Sequence, residues 1–158
     1  MAQSEFHDLA ELHLNINPTT QAIESSWGNL GYWKDSNNGQ DIVHYPQACQ
    51  QLAMEVALIA DLSPEHKLLD TGFGCGDQLL IWIKEFDVKS IVGLNLSASQ
   101  TQVAQENLDK APFTIKTHCE INIADCCLET SWRALDDDFQ RIIALDCIYH
   151  FNNKSQYF

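Results

Sequence analysis

Basic residues are scarce in this sequence: nine Lys and Arg stand against 22 Asp and Glu, for a formal net charge of −13. Such a field repels a phosphate backbone, which argues against nucleic acid as a partner. The acidic run Asp136–Asp138 fits a solvated loop. Long apolar runs are missing as well. None reaches the length of about 18 residues that a membrane span requires, so an integral membrane protein is not expected. The first ten residues hold two acids and no apolar stretch, unlike an export signal, and a cytoplasmic location is expected. No C-x-x-C pair occurs among the six cysteines, Cys49, Cys75, Cys119, Cys126, Cys127 and Cys147. Reduced thiols are expected, several of them buried. A zinc site from His118, Cys119, Cys126 and Cys127 lacks the common ligand spacing, and no metal is expected.

What is present is enough for one domain with a core: 158 residues, 45% of them hydrophobic. Residues 1–26 read as one or two polar amphipathic helices, broken near Asn17-Pro18. The stretch WGNLGYWKDSNNGQD, 27–41, is aromatic first and then loop-like, with a turn signal at Asn37-Asn38-Gly39. A helix follows. Pro46 suits its first turn, Cys49, Leu52, Ala53, Val56, Ala57 and Ala60 share one face at 3.6-residue spacing, and Ser63-Pro64 ends it. KLLD, 67–70, reads as a buried strand, and Asp77 opens the helix DQLLIWIKEF. KSIVGLNL, 89–96, reads as a second strand, followed by a helix over 97–111 that Pro112 stops. A third strand spans 113–123, a short helix 131–136, and a fourth strand lies around Ile142–Leu145. This alternation predicts an α/β fold with a Rossmann-like, doubly wound parallel sheet of about four strands. A helical and aromatic N-terminal cap, 1–43, would precede a partial cofactor-binding domain, 44–158.

The first strand runs into LLDTGFGCGDQ, residues 68–78. In such sheets ligands sit at the carboxyl ends of the strands, and glycines there let a backbone approach a ligand. A nucleotide P-loop needs a Lys after its glycines, and none is present. A dinucleotide site needs G-x-G-x-x-G; here Gly72, Gly74 and Gly76 are spaced G-x-G-x-G, and the acid Asp77 would face a pyrophosphate. A third option is S-adenosylmethionine, which carries no phosphate. Asp70 can pair with its ammonium group or a bound water, and the glycines can pass close to its ribose and methionine parts.

D-x-G-x-G-x-G after an apolar strand resembles motif I of the class I S-adenosylmethionine-dependent methyltransferases. GLNLSASQ, 93–100, is similar to segments of their small-molecule and lipid branch: sterol, tocopherol and natural-product methyltransferases and cyclopropane fatty acid synthases. The resemblance implies a methyltransferase with S-adenosylmethionine as cofactor and a small-molecule or lipid methyl acceptor. It places Asn95 and Leu96 at the ribose, with Asn95 where most members carry an acid. Gln100 is either a cofactor contact or the N3 residue of a capping box with Ser97 as N-cap. Asp125 would meet the adenine amino group or serve as an ordinary capping Asp. In IALDCIYHF, Leu145 and Asp146 would border the cofactor, Asp146 and Tyr149 would face the acceptor, and His150 would accept a proton from a nucleophile. In NLGYW, Tyr32 and Trp33, together with Trp27, would wall off the acceptor or pack as core aromatics. The likeness covers about residues 27–151. Members of the family continue past a fourth strand, so a fragment is expected, with strand four left as an apolar edge open to association. The competing expectation is a truncated cofactor-binding or structural module without activity of its own.

Overall fold

The computed structural model describes residues 12–17, 19–35, 37–111, 117–135 and 138–157. Helix α1, Tyr45–Ile59, starts with Pro46 in its first turn, where a missing N–H costs nothing. Its buried face is made of small residues, Ala48, Cys49, Ala53 and Ala57, which let it approach its neighbours closely. It ends in a Schellman turn ahead of Ser63-Pro64. Asp61 takes a left-handed φ of 51°, and Asp61 and Leu62 donate back to the carbonyls of Leu58 and Ala57 at 3.1 and 3.0 Å.

The alternating elements follow: β1 Lys67–Thr71, α2 Asp77–Phe86, β2 Ser90–Asn95, α3 Ala98–Lys110, β3 His118–Ile123, α4 Glu129–Arg133, β4 Arg141–Ile143 and α5 Lys154–Tyr157. The sheet has four strands in the order β3-β2-β1-β4, all parallel, with Asp70 of β1 level with Gly93 of β2 and Ile143 of β4. β1 and β2 are buried along almost their whole length, as expected for a parallel sheet covered on both faces. Alternation along β1 splits the core. Leu68 joins Trp82, Ile91 and Ala104 on one face, and Leu69 joins Val92, Leu94 and Cys126 on the other. The chain steps outward from β1 to β3 and then returns to the far side of β1. In sheets of this kind ligands bind at such a reversal, here at the carboxyl ends of β1 and β4.

The N-terminal segment differs from its expectation. Among the described residues, 12–26 form no amphipathic helix. One 3-10 turn, Leu12–Asn15, leads into an antiparallel bridge between Ile16 and Ile23. The cause is Asn15. Its buried amide donates to the Trp27 carbonyl at 3.0 Å and accepts from the Trp27 N–H at 3.2 Å and the Ser25 hydroxyl at 2.5 Å. A polar stretch without an apolar face gains more from this satisfied buried amide than from a helix. The start of the expected first helix, the beginning of the expected third strand and Asp136-Asp137 lie outside the described residues. At the other end, β4 keeps Ile142 57% exposed on an unpaired edge. Beside it lies a concavity of about 550 Å³ lined by Trp132, Ala144, Ile148, Gln156 and Tyr157.

Gly76 gives a stability prediction. Its φ is 86°, and a Cβ there would lie 2.7 Å from Cβ of Ala104 on α3. Gly76→Ala should cost roughly 2–4 kcal/mol in urea denaturation, from strain and overpacking together. Gly39→Ala, at φ 71° but with open space around it, should cost only about 1 kcal/mol. Equal losses in the two variants would refute the packing argument.

Candidate cofactor site

The loop between β1 and α2 is Gly72-Phe73-Gly74-Cys75-Gly76. All three glycines have positive φ, from 58° to 86°, but for different reasons. A Cβ on Gly72 would lie 2.7 Å from Sγ of Cys147, and one on Gly76 the same distance from Ala104. These two are bare so that protein can approach. A Cβ on Gly74 would meet nothing within 4 Å. Of the three, Gly74 is the one whose missing side chain points into open space. Phe73 turns inward, 1% exposed, and packs where Gly93 of β2 leaves room. The Gly72 N–H donates to the Leu94 carbonyl at 2.7 Å and ties the loop to β2.

Asp70 is also placed differently from its expectation. Its carboxylate is fully buried beneath the loop. Nε2 of Gln78 donates to both oxygens, at 2.9 and 3.1 Å, and Nε1 of Trp82 donates to Oδ2 at 2.6 Å. Both donors stand on α2. The carboxylate therefore fastens α2 to the end of β1, and the structure gives it no exposure to a ligand's ammonium. Burial pushes its pKa up to about 6, against the pull of the Trp82 and Gln78 hydrogen bonds.

At the end of β2, Asn95 is 6% exposed. Its Nδ2 donates to the Ser97 carbonyl at 3.3 Å and to Oε1 of Gln100 at 3.2 Å. Among the described residues none donates to its Oδ1, which leaves that oxygen as an acceptor. Gln100 thus orients Asn95, while Ser97 caps α3 by accepting from the Gln100 N–H at 3.3 Å. Leu96 projects outward, 63% exposed. After β3, Asp125 closes a turn: its Oδ1 accepts from the Cys127 N–H at 2.8 Å. The ligand atoms of Asp125, Cys126 and Cys127 lie within 4.8 Å of one another. His118 and Cys119 open β3 whereas Cys126 and Cys127 follow its end, so the four residues considered for zinc are not gathered.

Beyond β4, Leu145 is buried at 4% exposure. Asp146 takes a φ of 49°, and its Oδ2 accepts from the Leu30 N–H at 2.6 Å. One oxygen of the carboxylate is thus engaged with the N-terminal segment. Tyr149 and His150 stand exposed on the 3-10 turn Ile148–His150, their ring centroids 4.2 Å apart. The aromatics of the N-terminal segment divide. Trp27 is core at 8% exposure, while Tyr32 and Trp33 are 42% and 45% exposed. Nε1 of Trp33 donates to the Leu30 carbonyl at 2.9 Å, and the Tyr32 N–H donates to the Ala48 carbonyl at 2.8 Å. Residues 26–33 therefore form a strap that runs from the start of α2 to the loop after β4. Two further residues stand at the loop without having been expected to line the site. Asp77 accepts from the Ser26 N–H at 3.2 Å, and Cys147 sits against Gly72 with Sγ 3.1 Å from the Thr71 carbonyl.

A parallel sheet with its strand order reversing at a glycine loop, open space beside Gly74 and an amide at the end of the next strand defines a Rossmann-like α/β fold. The model of one family, mycolic acid cyclopropane synthetase, matches residues 34–158, and the chain belongs to that family. It is 28% identical over 140 residues to erythromycin 3''-O-methyltransferase of Saccharopolyspora erythraea, covering 85% of this chain and 41% of that protein. It is 29% identical over 129 residues to cyclopropane-fatty-acyl-phospholipid synthase of Escherichia coli K12, covering 80% of this chain and 28% of that protein. The chain thus spans less than half the length of these relatives. Mycolic acid cyclopropane synthase CmaA1 complexed with SAH and CTAB has the same fold, with a TM-score of 0.64 at 21% identity over 89% of this chain and 42% of that one.

The raised pKa of Asp70 has a sign that can be tested. A folded value of about 6 against the ordinary 3.8 means that the folded state holds this proton more tightly. The associated stability is fully present below about pH 4 and is lost as pH rises through 6. Asp70→Asn removes this dependence. The stability difference between wild type and Asp70→Asn should therefore shift in favour of the variant between pH 4 and 7, by up to about 3 kcal/mol. Urea midpoints across that range check it, and a difference independent of pH would show that the carboxylate is not held in this environment.

Proposed function

We propose that the chain binds S-adenosylmethionine at the carboxyl ends of its strands and serves methyl transfer to a small-molecule or lipid acceptor. The observation that carries this is the pairing of Gly74, the one loop glycine whose missing side chain opens onto free space, with Asn95 at the end of β2. Backbone can approach the methionine and ribose parts at Gly74, and Oδ1 of Asn95 suits a ribose hydroxyl donor. The family, and the names of a methyltransferase, a cyclopropane synthase and an SAH complex among the relatives, support the same reading.

When bound, the cofactor supplies an activated methyl group on a sulfonium. The chain's own task is then to align an acceptor nucleophile and exclude water. Gly74, Asn95 and Leu96 hold the cofactor, with Gln100 fixing the Asn95 amide, Asp125 at the adenine end and Leu145 beneath. Gly72, Gly76 and Asp70 hold the loop in shape. Exposed Tyr32, Trp33 and Tyr149 stand around the crevice and offer apolar faces to an acceptor. His150 beside Tyr149 takes a proton from an acceptor that must lose one. No described helix is long and apolar enough to cross a membrane, and all six cysteines are free thiols, which suits the cytoplasm. A second reading is a cofactor-binding module that needs a partner at its open β4 edge. It predicts binding without turnover.

Calorimetric titration with S-adenosylmethionine and S-adenosylhomocysteine, with NAD as control, tests the proposal. Micromolar binding of the first two is expected. Gly74→Val should weaken it at least about 100-fold, because a side chain fills the crevice, and Asn95→Ala roughly tenfold, for one lost hydrogen bond. Binding of NAD alone, or of nothing by a folded chain, would overturn it.

A further inference from the structure

Two carboxylates hold the strap, and neither is explained by packing alone. Asp77 is the first residue of α2, directly after Gly76, and its Oδ1 receives the Ser26 N–H at 3.2 Å. Its Oδ2 is buried and has no hydrogen-bond partner among the described residues. Asp146 follows Leu145 beyond β4, and its Oδ2 receives the Leu30 N–H at 2.6 Å. It does so with φ at 49°, a conformation that a non-glycine residue adopts at a cost of about 1–2 kcal/mol. One carboxylate thus follows the glycine loop after β1 and the other follows β4, the two neighbouring strands at which strand order reverses. The strap between them is also held by Asn15, which pairs with the Trp27 N–H and carbonyl, by the Trp27 ring in the core, and by contacts towards α1. The Tyr45 hydroxyl donates to the Asn29 carbonyl at 2.8 Å, and Nδ2 of Asn29 donates to the Cys49 carbonyl at 3.2 Å. The two carboxylates add ties to the start of α2 and to the segment after β4. A buried acid with an unmet oxygen and a strained acid are both unfavourable for folding, and such groups persist where a site needs them.

We propose that Asp77 and Asp146 are positioning residues, a pair of clasps that keep residues 26–33 closed over the crevice and so retain the cofactor. The inference rests on the cofactor reading given above. Each clasp accepts a backbone N–H and takes up none of the strap's side chains, so the exposed rings of Tyr32 and Trp33 are left to face an acceptor. An Asn at either position keeps one acceptor oxygen and should still hold. Alanine at 77 or glycine at 146 removes it. Glycine at 146 is at ease with a positive φ, so this variant loses the clasp while relieving backbone strain, and it should fold at least as well as the wild type.

Hydrogen exchange at single amides, together with the dissociation rate of S-adenosylhomocysteine, provides the test on the full chain. In Asp77→Ala the Ser26 amide, and in Asp146→Gly the Leu30 amide, should exchange at least about tenfold faster. S-adenosylhomocysteine should leave each variant roughly tenfold faster, while Asp77→Asn and Asp146→Asn stay within about threefold of wild type. Unchanged exchange at both amides would overturn the clasps. Faster exchange with unchanged dissociation would overturn their role in retention, as would Asn variants that behave like Ala and Gly. A wild-type chain that binds no S-adenosylhomocysteine, yet whose amides respond as expected, would overturn the cofactor reading and retention with it, and leave the clasps supported.

Discussion

The fold at the crevice depends on one buried carboxylate. Asp70 ends the inner part of β1 and takes three hydrogen bonds from two side chains of α2. Those bonds set the distance between strand end and helix start, which the five-residue glycine loop must bridge. Burying an ionised acid is expensive, and removing its partners would leave an uncompensated charge in the core. The arrangement is therefore close to all-or-none: with Gln78 and Trp82 in place the loop has one shape, and without them α2 has no polar tie to β1. Trp82 serves twice, since its ring fills the core while its Nε1 bonds the acid.

From that constraint the glycines follow. A loop drawn this tightly brings α3 and the segment after β4 against its backbone, and Gly76 and Gly72 are bare at those two contacts. Phe73 seals the underside by packing on the bare Cα of Gly93. Only Gly74 is left with free space above it. The motif that identifies the loop in sequence is thus in good part a packing device, with two of its three glycines required by neighbouring protein atoms.

What was legible in the sequence was local. The apolar runs of β1 and β2, the helical face of α1, the glycine loop and the Ser97 cap each declare themselves within a few residues, and the strand-helix alternation then leaves few topologies. Long-range polar pairings were not legible. Ser26 meets Asp77 across 51 residues and Leu30 meets Asp146 across 116, and no periodicity marks either bond. Asp70 misled for the same reason. A carboxylate at a strand end beside glycines suggests a ligand contact, and only the turn of α2 shows that Gln78 and Trp82 reach it first. Residues 12–26 misled because one buried side chain, Asn15, organises them in place of a repeating face.

Charge adds a constraint on what can enter. A formal charge of −13 over 158 residues makes a field that draws cations toward the molecule and holds off phosphates. Two of the acids, Asp77 and Asp146, each turn one oxygen to a backbone N–H of the strap. A dinucleotide would bring its pyrophosphate to the start of α2, where Asp77 already occupies the anion-favouring end of the helix. A sulfonium meets no such conflict. The acid that closes the strap therefore also biases the site away from phosphate-bearing cofactors, so a single residue at the start of α2 contributes to both retention and selectivity.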